Sequence, residues 1–151
     1  MRRYELALRS NTIVDAEADV VAALSEILGF DPDPCAAWVL APWQHDGHAD
    51  HDAVGRAAAV VCHAYRARLV EYLVKSWSSA GLQGIPWGRA RQLPLTPLLH
   101  LRKLHAISTL GLRVDGSLVG DREIFLAPQD PPVRQETGLS PAGDRRARMC
   151  P

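Results

Sequence analysis

The sequence lacks three features that would each indicate a particular class of protein. It has no excess charge, because 17 Lys and Arg residues balance 17 Asp and Glu residues, whereas nucleic-acid binding usually requires a basic surface. It has no apolar run close to the roughly 20 residues that cross a bilayer, and its first residues lack the apolar core of a signal peptide. We therefore expect a cytoplasmic protein with no nucleic-acid partner and no membrane span.

Paired cysteines are also missing. The three cysteines, Cys35, Cys62 and Cys150, lie far apart in the sequence and form no CxxC motif. Their number and spacing argue against a disulfide framework and against a thiolate zinc site. We expect them to be buried thiols or thiols of the terminal tail.

The length and composition fit one domain followed by a tail. A chain of 151 residues with 47% hydrophobic and 23% charged residues is long enough for one hydrophobic core but too short for two domains. Pro, Gly and Arg are frequent after Ala127. We therefore assign residues 1–127 to the domain and predict a disordered tail at 128–151.

The spacing of apolar residues predicts alternating helices and strands. A helix is predicted from Asp15 to Leu28, ending at Gly29, and the continuous apolar run at 36–41 predicts a buried parallel strand that ends at Pro42. Further strands are predicted at 4–8, 69–74 and 122–126, and a further helix at 50–68. A helix is also predicted at 97–110, with its core face formed by Leu98, Leu101, Leu104 and either Ile107 or Ser108. This order predicts an α/β layer fold of mostly parallel strands.

The segment after the 36–41 strand is the strongest candidate for a functional site. Six of the eight residues in His45–Asp52 are His or Asp, and ligands of α/β folds bind beyond the carboxyl ends of strands. Imidazole and carboxylate groups are ligands of zinc. His48 and His51 lie on one side of a helix if the helix begins near His48, and on a loop if it begins later.

Two further points bear on this segment. Asp50 or Asp52 is placed to hydrogen-bond the far nitrogen of a ligating imidazole and so to select its tautomer. The alternative interpretation is a polar loop whose aspartates cap a helix. Three histidines and three aspartates directly after a buried strand favour the functional interpretation.

The run from Leu40 to Ala58 resembles the second signature of the PIG-L (LmbE-like) zinc-dependent N-deacetylases. In that signature a strand ends in proline and leads to Asp-Gly-His-Pro-Asp-His and a helix of small residues; here Ala49 replaces the second proline. A weaker resemblance extends over residues 5–127. It implies a Rossmann-like fold, bound zinc, and removal of an N-acetyl group from an amino sugar conjugate.

The same resemblance implies roles for four residues. His51 would be a zinc ligand, and His48 would orient or protonate the reacting amide group. Asp50 would be a hydrogen-bonding partner of a histidine, and Asp46 would support the loop or contact substrate. Amide hydrolysis needs a metal that polarises the carbonyl and activates water, together with a proton donor for the departing nitrogen.

The chain departs from the family at its front. The first family signature, a strand followed by Ala-His-Pro-Asp-Asp-Glu, does not occur in this sequence. That signature supplies the other two zinc ligands and the general base, and catalytic zinc normally has three protein ligands. The resemblance therefore implies an N-terminally truncated family member that is inactive as this chain alone. A sheet without its first strands is also expected to expose an unpaired edge and an apolar face, which favours self-association.

Other interpretations remain open. One is a noncatalytic protein in which His45, His48 and His51 hold a metal, and another is a degenerate family member with no activity. Trp77, Trp87 and the segment 81–91 either line a sugar pocket or form an ordinary packed loop.

Overall fold

The computed structural model describes residues 3–76, 84–111 and 120–129. Within these ranges the chain forms helices α1 (Glu17–Gly29), α2 (Ala49–Tyr65) and α3 (Pro97–Thr109), and strands β1 (Trp38–Pro42), β2 (Arg68–Tyr72), β3 (Ala90–Pro94) and β4 (Arg122–Leu126). Most of the predicted tail lies outside the described residues. No helix in the described ranges is long and apolar enough to cross a membrane.

The strands form one mixed sheet in the order β1-β2-β4-β3. β1 and β2 are parallel, with Trp38 opposite Arg68 and Pro42 opposite Tyr72. β4 is antiparallel to both β2 and β3. The predicted α/β class is confirmed as a mixed α/β fold, but a mostly parallel, Rossmann-like sheet is not confirmed. The final strand returns between two earlier strands, and apolar spacing along the chain does not encode such long-range pairing.

Helix α2 connects the two parallel strands and packs very closely on the loop that follows β1. A Cβ atom at Gly55 would lie 2.6 Å from the carbonyl oxygen of Pro42 and 2.7 Å from the backbone nitrogen of Gln44. The buried side chains of α2 are small: Ala53, Ala57, Ala58, Val61 and Cys62. Because these residues are small, the backbone of α2 can approach the backbone of the loop that follows β1.

Helix α1 lies against α2 and confirms the helix predicted at 15–28. A short 3-10 turn at Ile13–Ala16 precedes it, and Val20 and Leu28 are buried. The guanidinium group of Arg56 donates to both carboxylate oxygens of Glu17, with Nη2 to Oε2 at 2.7 Å. This two-point ion pair joins α1 to α2.

A second ion pair, with a buried carboxylate, holds the middle of the sheet. Glu71 in β2 is buried and accepts from Nη2 of Arg89 at 2.6 Å. Arg89 also donates to the carbonyl oxygen of Ala127, just beyond β4. Because Glu71 lies in β2 and Ala127 follows β4, the pair ties the segment before β3 to both strands. The apolar cluster of Trp43, Leu73, Ile85 and Leu126 is buried in the same region.

Three predictions about individual elements are wrong. Residues 4–8 form no strand, and Ala7 has a φ of 52°, which interrupts an extended backbone. The predicted buried strand exists as β1, but it lies at the sheet edge, with Trp38 58% and Leu40 68% exposed. Helix α3 has no buried residue among those described; of its predicted core positions Leu98 and Leu101 are exposed, whereas Leu104 and Ile107 are half-buried.

The cysteine prediction holds in part. Cys62 is a buried free thiol, and burial raises its pKa to about 11. Sγ of Cys35 lies 3.7 Å from the carbonyl oxygen of Tyr65, and Cys150 lies outside the described residues.

Candidate functional site

The candidate site is the loop between β1 and α2, at the carboxyl ends of the two parallel strands. His48 is the N-cap residue of α2, with an extended backbone at φ −124° and ψ 125°. Its Nδ1 atom accepts a hydrogen bond from the backbone N–H of Asp50 at 3.2 Å. The helix therefore begins at His48, which is the arrangement that brings His48 and His51 to one side.

The imidazole rings of His48 and His51 are stacked. Their centroids lie 4.5 Å apart and their planes are inclined by 27°. His51 is one turn into the helix from the cap, and its side chain is 28% exposed. The sequence prediction that these two histidines are neighbours is confirmed.

The carboxylate of Asp46 accepts more of the hydrogen bonds described here than any other side chain of the loop. Its fully buried carboxylate accepts from Nδ1 of His51 at 2.6 Å and from the backbone N–H groups of Val74, Lys75 and Ser76 at 2.8–3.0 Å. The hydroxyl of Ser76 also donates to Oδ1 at 2.5 Å. The enclosed carboxylate thus joins His51 to the turn that follows β2.

The ionisation of Asp46 identifies the donor in its contact with His51. Burial alone would raise the pKa of Asp46, but hydrogen bonds from Ser76, Lys75 and His51 outweigh burial and lower the pKa to about 2. At neutral pH the carboxylate is therefore ionised and can only accept. Nδ1 of His51 consequently carries a proton, and in the neutral imidazole the lone pair lies on Nε2.

His48 has the opposite tautomer. Its Nδ1 accepts the N–H of Asp50, so in the neutral ring the proton is on Nε2. One stacked imidazole thus presents a lone pair at Nε2, suited to a metal, and the other presents an N–H, suited to a developing negative charge or a departing amine. This difference distinguishes two histidines that the sequence alone makes look alike.

Asp50 is engaged elsewhere. It is buried, and its carboxylate accepts the backbone N–H of Asn11 at 2.5 Å and that of Ile13 at 3.0 Å. It thereby holds the segment that precedes α1 against the N-terminus of α2. Asp52 accepts from the N–H of Gly47 at 3.1 Å. The carboxylate that contacts His51 is thus that of Asp46, and neither Asp50 nor Asp52 supplies it.

Three residues beside the loop were given no role in the sequence analysis: Trp43, Tyr72 and Ser76. His45 packs edge-on against buried Trp43, with ring centroids 5.6 Å apart. The pKa of Tyr72, at the end of β2, is raised by burial and by the charge of Asp46. Ser76 lies 30 residues from Asp46 in the sequence, so local sequence patterns do not predict that contact. Trp87 is exposed, and Trp77 and 81–83 lie outside the described residues.

The described residues do not complete a metal site. Within 3–76, 84–111 and 120–129, no group of three or more His, Cys, Asp or Glu side chains is arranged to hold a metal ion. Nε2 of His51 is a suitable ligand atom, but catalytic zinc normally takes three from the protein. A groove of about 510 Å³ lies beside the N-terminal segment, between Leu6, Ile13, Val20 and Val54, and does not include the histidine loop.

Comparison of the chain with protein-family models, with curated protein sequences and with solved structures gives no match in any of the three.

Proposed function

We propose that this chain carries part of the site of a zinc-dependent N-deacetylase of the PIG-L kind, with His51 as a zinc ligand and His48 as a proton donor. The observation that best supports this proposal is the opposite hydrogen bonding of the two stacked rings. Asp46 accepts from Nδ1 of His51, while Nδ1 of His48 accepts from Asp50. Metal-assisted amide hydrolysis uses a metal ligand and a donor group near the reacting amide, and two imidazoles of opposite tautomer can supply one of each.

The proposed substrate is a small amino sugar conjugate bearing an N-acetyl group, and the proposed location is the cytoplasm. In this proposal the Nε2–H group of His48 donates a hydrogen bond to the carbonyl oxygen as it gains charge. Protonation of the departing amine would need the doubly protonated ring, in which Nδ1 gives up the hydrogen bond from Asp50. Asp46 orients His51, and Asp50 holds the chain segment that supports the start of α2. Because the described residues offer one firm ligand, we propose that the chain alone does not catalyse turnover.

Two measurements test this proposal. Incubation of the chain with zinc and an N-acetylglucosamine conjugate is expected to release no acetate, and turnover that disappears in His48→Ala would overturn the proposed inactivity. Titration with the same conjugate in the presence of zinc is expected to shift the imidazole nitrogen resonances of His48 and His51. If neither zinc nor the conjugate shifts the nitrogen resonances of His48 or His51, the deacetylase proposal is wrong.

A noncatalytic metal-binding role for His45, His48 and His51 makes a different prediction. It requires tight metal binding by three imidazoles and a loss of stability in His51→Ala. The hydrogen bond that occupies Nδ1 of His48 leaves only Nε2 of that ring for a metal, and Nε2 carries the proton in the neutral form. Weak zinc binding that depends on His51 alone would favour the deacetylase-related role.

We further propose that copies of the chain associate through the edge of β1. The carbonyl of Ala37 and the N–H of Trp43 bond to β2, and in a parallel pair alternate residues direct both backbone groups to the same side. Trp38 and Leu40 therefore direct theirs away from β2. Pro42, the next outward position, has no N–H, as is usual at a sheet edge.

This edge is self-complementary. Two copies related by a twofold axis can place Trp38 of one strand opposite Leu40 of the other, with both residues exchanging backbone hydrogen bonds. The two side chains lie on the same face of the sheet and are exposed. Association would thus cover both the free backbone groups and the apolar side chains.

A further inference from the structure

We propose that Asp46 is a positioning residue that sets the tautomer of His51 and thereby determines whether His51 presents a lone pair or an N–H group at Nε2. The tautomer follows from contacts within the chain, while its consequence for metal binding rests on the proposed function of His51. The carboxylate of Asp46 is enclosed and its Oδ2 atom contacts Nδ1 of His51, so it acts through His51.

Every group that contacts this carboxylate is a donor. Oδ1 accepts from the N–H of Val74 and from both the N–H and the hydroxyl of Ser76. Oδ2 accepts from the N–H of Lys75 and from Nδ1 of His51. Two acceptor oxygens satisfy this set, and the three backbone N–H groups cannot reverse their role.

The three donors on Oδ1 also fix which way the carboxylate is turned. With Oδ1 held by the turn at 74–76, Oδ2 is the atom that faces His51. Only the imidazole and the Ser76 hydroxyl can change between donor and acceptor, and the backbone N–H groups of Val74 and Ser76 require an acceptor at Oδ1 whichever way the hydroxyl turns. The chemical nature of the atom at the Oδ2 position therefore selects the tautomer of His51.

Replacing Asp46 with asparagine distinguishes a role in positioning His51 from a purely structural role. The substitution Asp46→Asn keeps one acceptor oxygen, which the donors on the Oδ1 side favour, and places an NH₂ group toward His51. The backbone N–H of Lys75, which donates to Oδ2 in the wild type, loses its acceptor, so the variant is expected to be less stable. Nδ1 of His51 must then accept, and the proton of the neutral ring moves to Nε2. A carboxylate-to-amide change that traps the wrong histidine tautomer is also the known effect at the serine protease triad.

The experiment is a long-range ¹H–¹⁵N spectrum of the imidazole rings, recorded for the wild-type chain and for Asp46→Asn. His51 is expected to be protonated at Nδ1 in the wild type and at Nε2 in the variant, with His48 unchanged. In zinc titrations of the same samples, the variant is expected to lose about tenfold or more in affinity at His51, as for other altered partners of metal-bound histidine. Val61→Ala, a buried substitution away from the loop, controls for general loss of stability.

The outcomes separate the two claims. If His51 keeps its proton on Nδ1 in a folded Asp46→Asn variant, the positioning role is wrong. If Asp46→Asn does not fold, the wild-type spectrum decides, because a wild-type His51 protonated at Nε2 overturns the inference. A tautomer switch without zinc binding in the wild-type chain supports the positioning role and contradicts the proposed metal-ligand function.

Discussion

Gly55 in α2 and Pro42 at the end of β1 approach so closely that a Cβ atom at residue 55 would lie 2.6 Å from the carbonyl oxygen of Pro42. That contact brings the start of α2 against the strand from which the site loop leaves. It is the packing relationship on which the positions of His48 and His51 depend.

Gly55→Ala is therefore expected to destabilise the protein. Alanine normally stabilises a helix interior relative to glycine by about 1 kcal/mol, but here the methyl group meets backbone atoms that cannot move aside. We expect the free energy of unfolding to fall by roughly 2 kcal/mol, measured by denaturant titration. Gly88→Ala, where a Cβ has no atom within 4 Å, should leave stability nearly unchanged, and equal effects at both positions would contradict the packing argument.

Asp50→Ala is expected to release the segment that precedes α1. The substitution removes the acceptor for the backbone N–H groups of Asn11 and Ile13, so we expect a cost of about 2 kcal/mol. Amide hydrogen exchange should show loss of protection at these two residues. Asp19→Ala, at an exposed acid in the first turn of α1, is the matched control, and unchanged protection in Asp50→Ala would rule out this anchor.

Leu40→Lys is expected to weaken self-association. A charged side chain at an outward-facing position of an edge strand opposes pairing with a second strand. We expect a rise of about tenfold or more in the dimer dissociation constant, measured by sedimentation. Val60→Lys, at a position on α2 that is 59% exposed, should not change it. A monomeric wild-type chain, or an equal effect of both substitutions, would exclude the β1 edge.

Cys62 should make stability depend on pH in the alkaline range. Burial raises the pKa of this thiol from 9.0 to about 11, so the folded state holds the proton more tightly than the unfolded state. Its contribution is fully present below pH 9.0 and is lost as the pH rises through about 11. In Cys62→Ala the fall in unfolding free energy between pH 8 and pH 11 should be smaller than in the wild type, and identical pH profiles would contradict the assignment.

Local sequence patterns predict the elements around the candidate site, namely α1, β1, α2 and β2. The spacing of apolar residues is sufficient to place α1, α2 and the strands on either side of α2, because those elements depend on short-range periodicity. The interval of three residues between His48 and His51 is sufficient to bring the two rings together once the helix begins at the cap. The density of His and Asp after β1 also identifies the loop in which the structure brings Asp46, His48 and His51 together.

The remaining features depend on contacts between distant residues. Asp46 meets Ser76 across 30 positions, so its role as the partner of His51 could not be separated from the same role for Asp50 or Asp52. The insertion of β4 beside β2 follows from the pairing of Tyr72 with Phe125, which periodicity does not encode. Trp38 and Leu40 point to the face of β1 opposite buried Ala41 and are exposed there. A continuous apolar run does not distinguish a strand covered on both faces from a strand covered on one.

The most direct test of the account is a zinc titration of the wild-type chain followed in the long-range ¹H–¹⁵N spectrum of its histidines. The account predicts that His51 begins as the Nδ1–H tautomer and that zinc shifts its Nε2 resonance, while His48 begins as the Nε2–H tautomer and does not bind the metal. The two histidines in the same tautomer, or zinc bound first at His48, would contradict it.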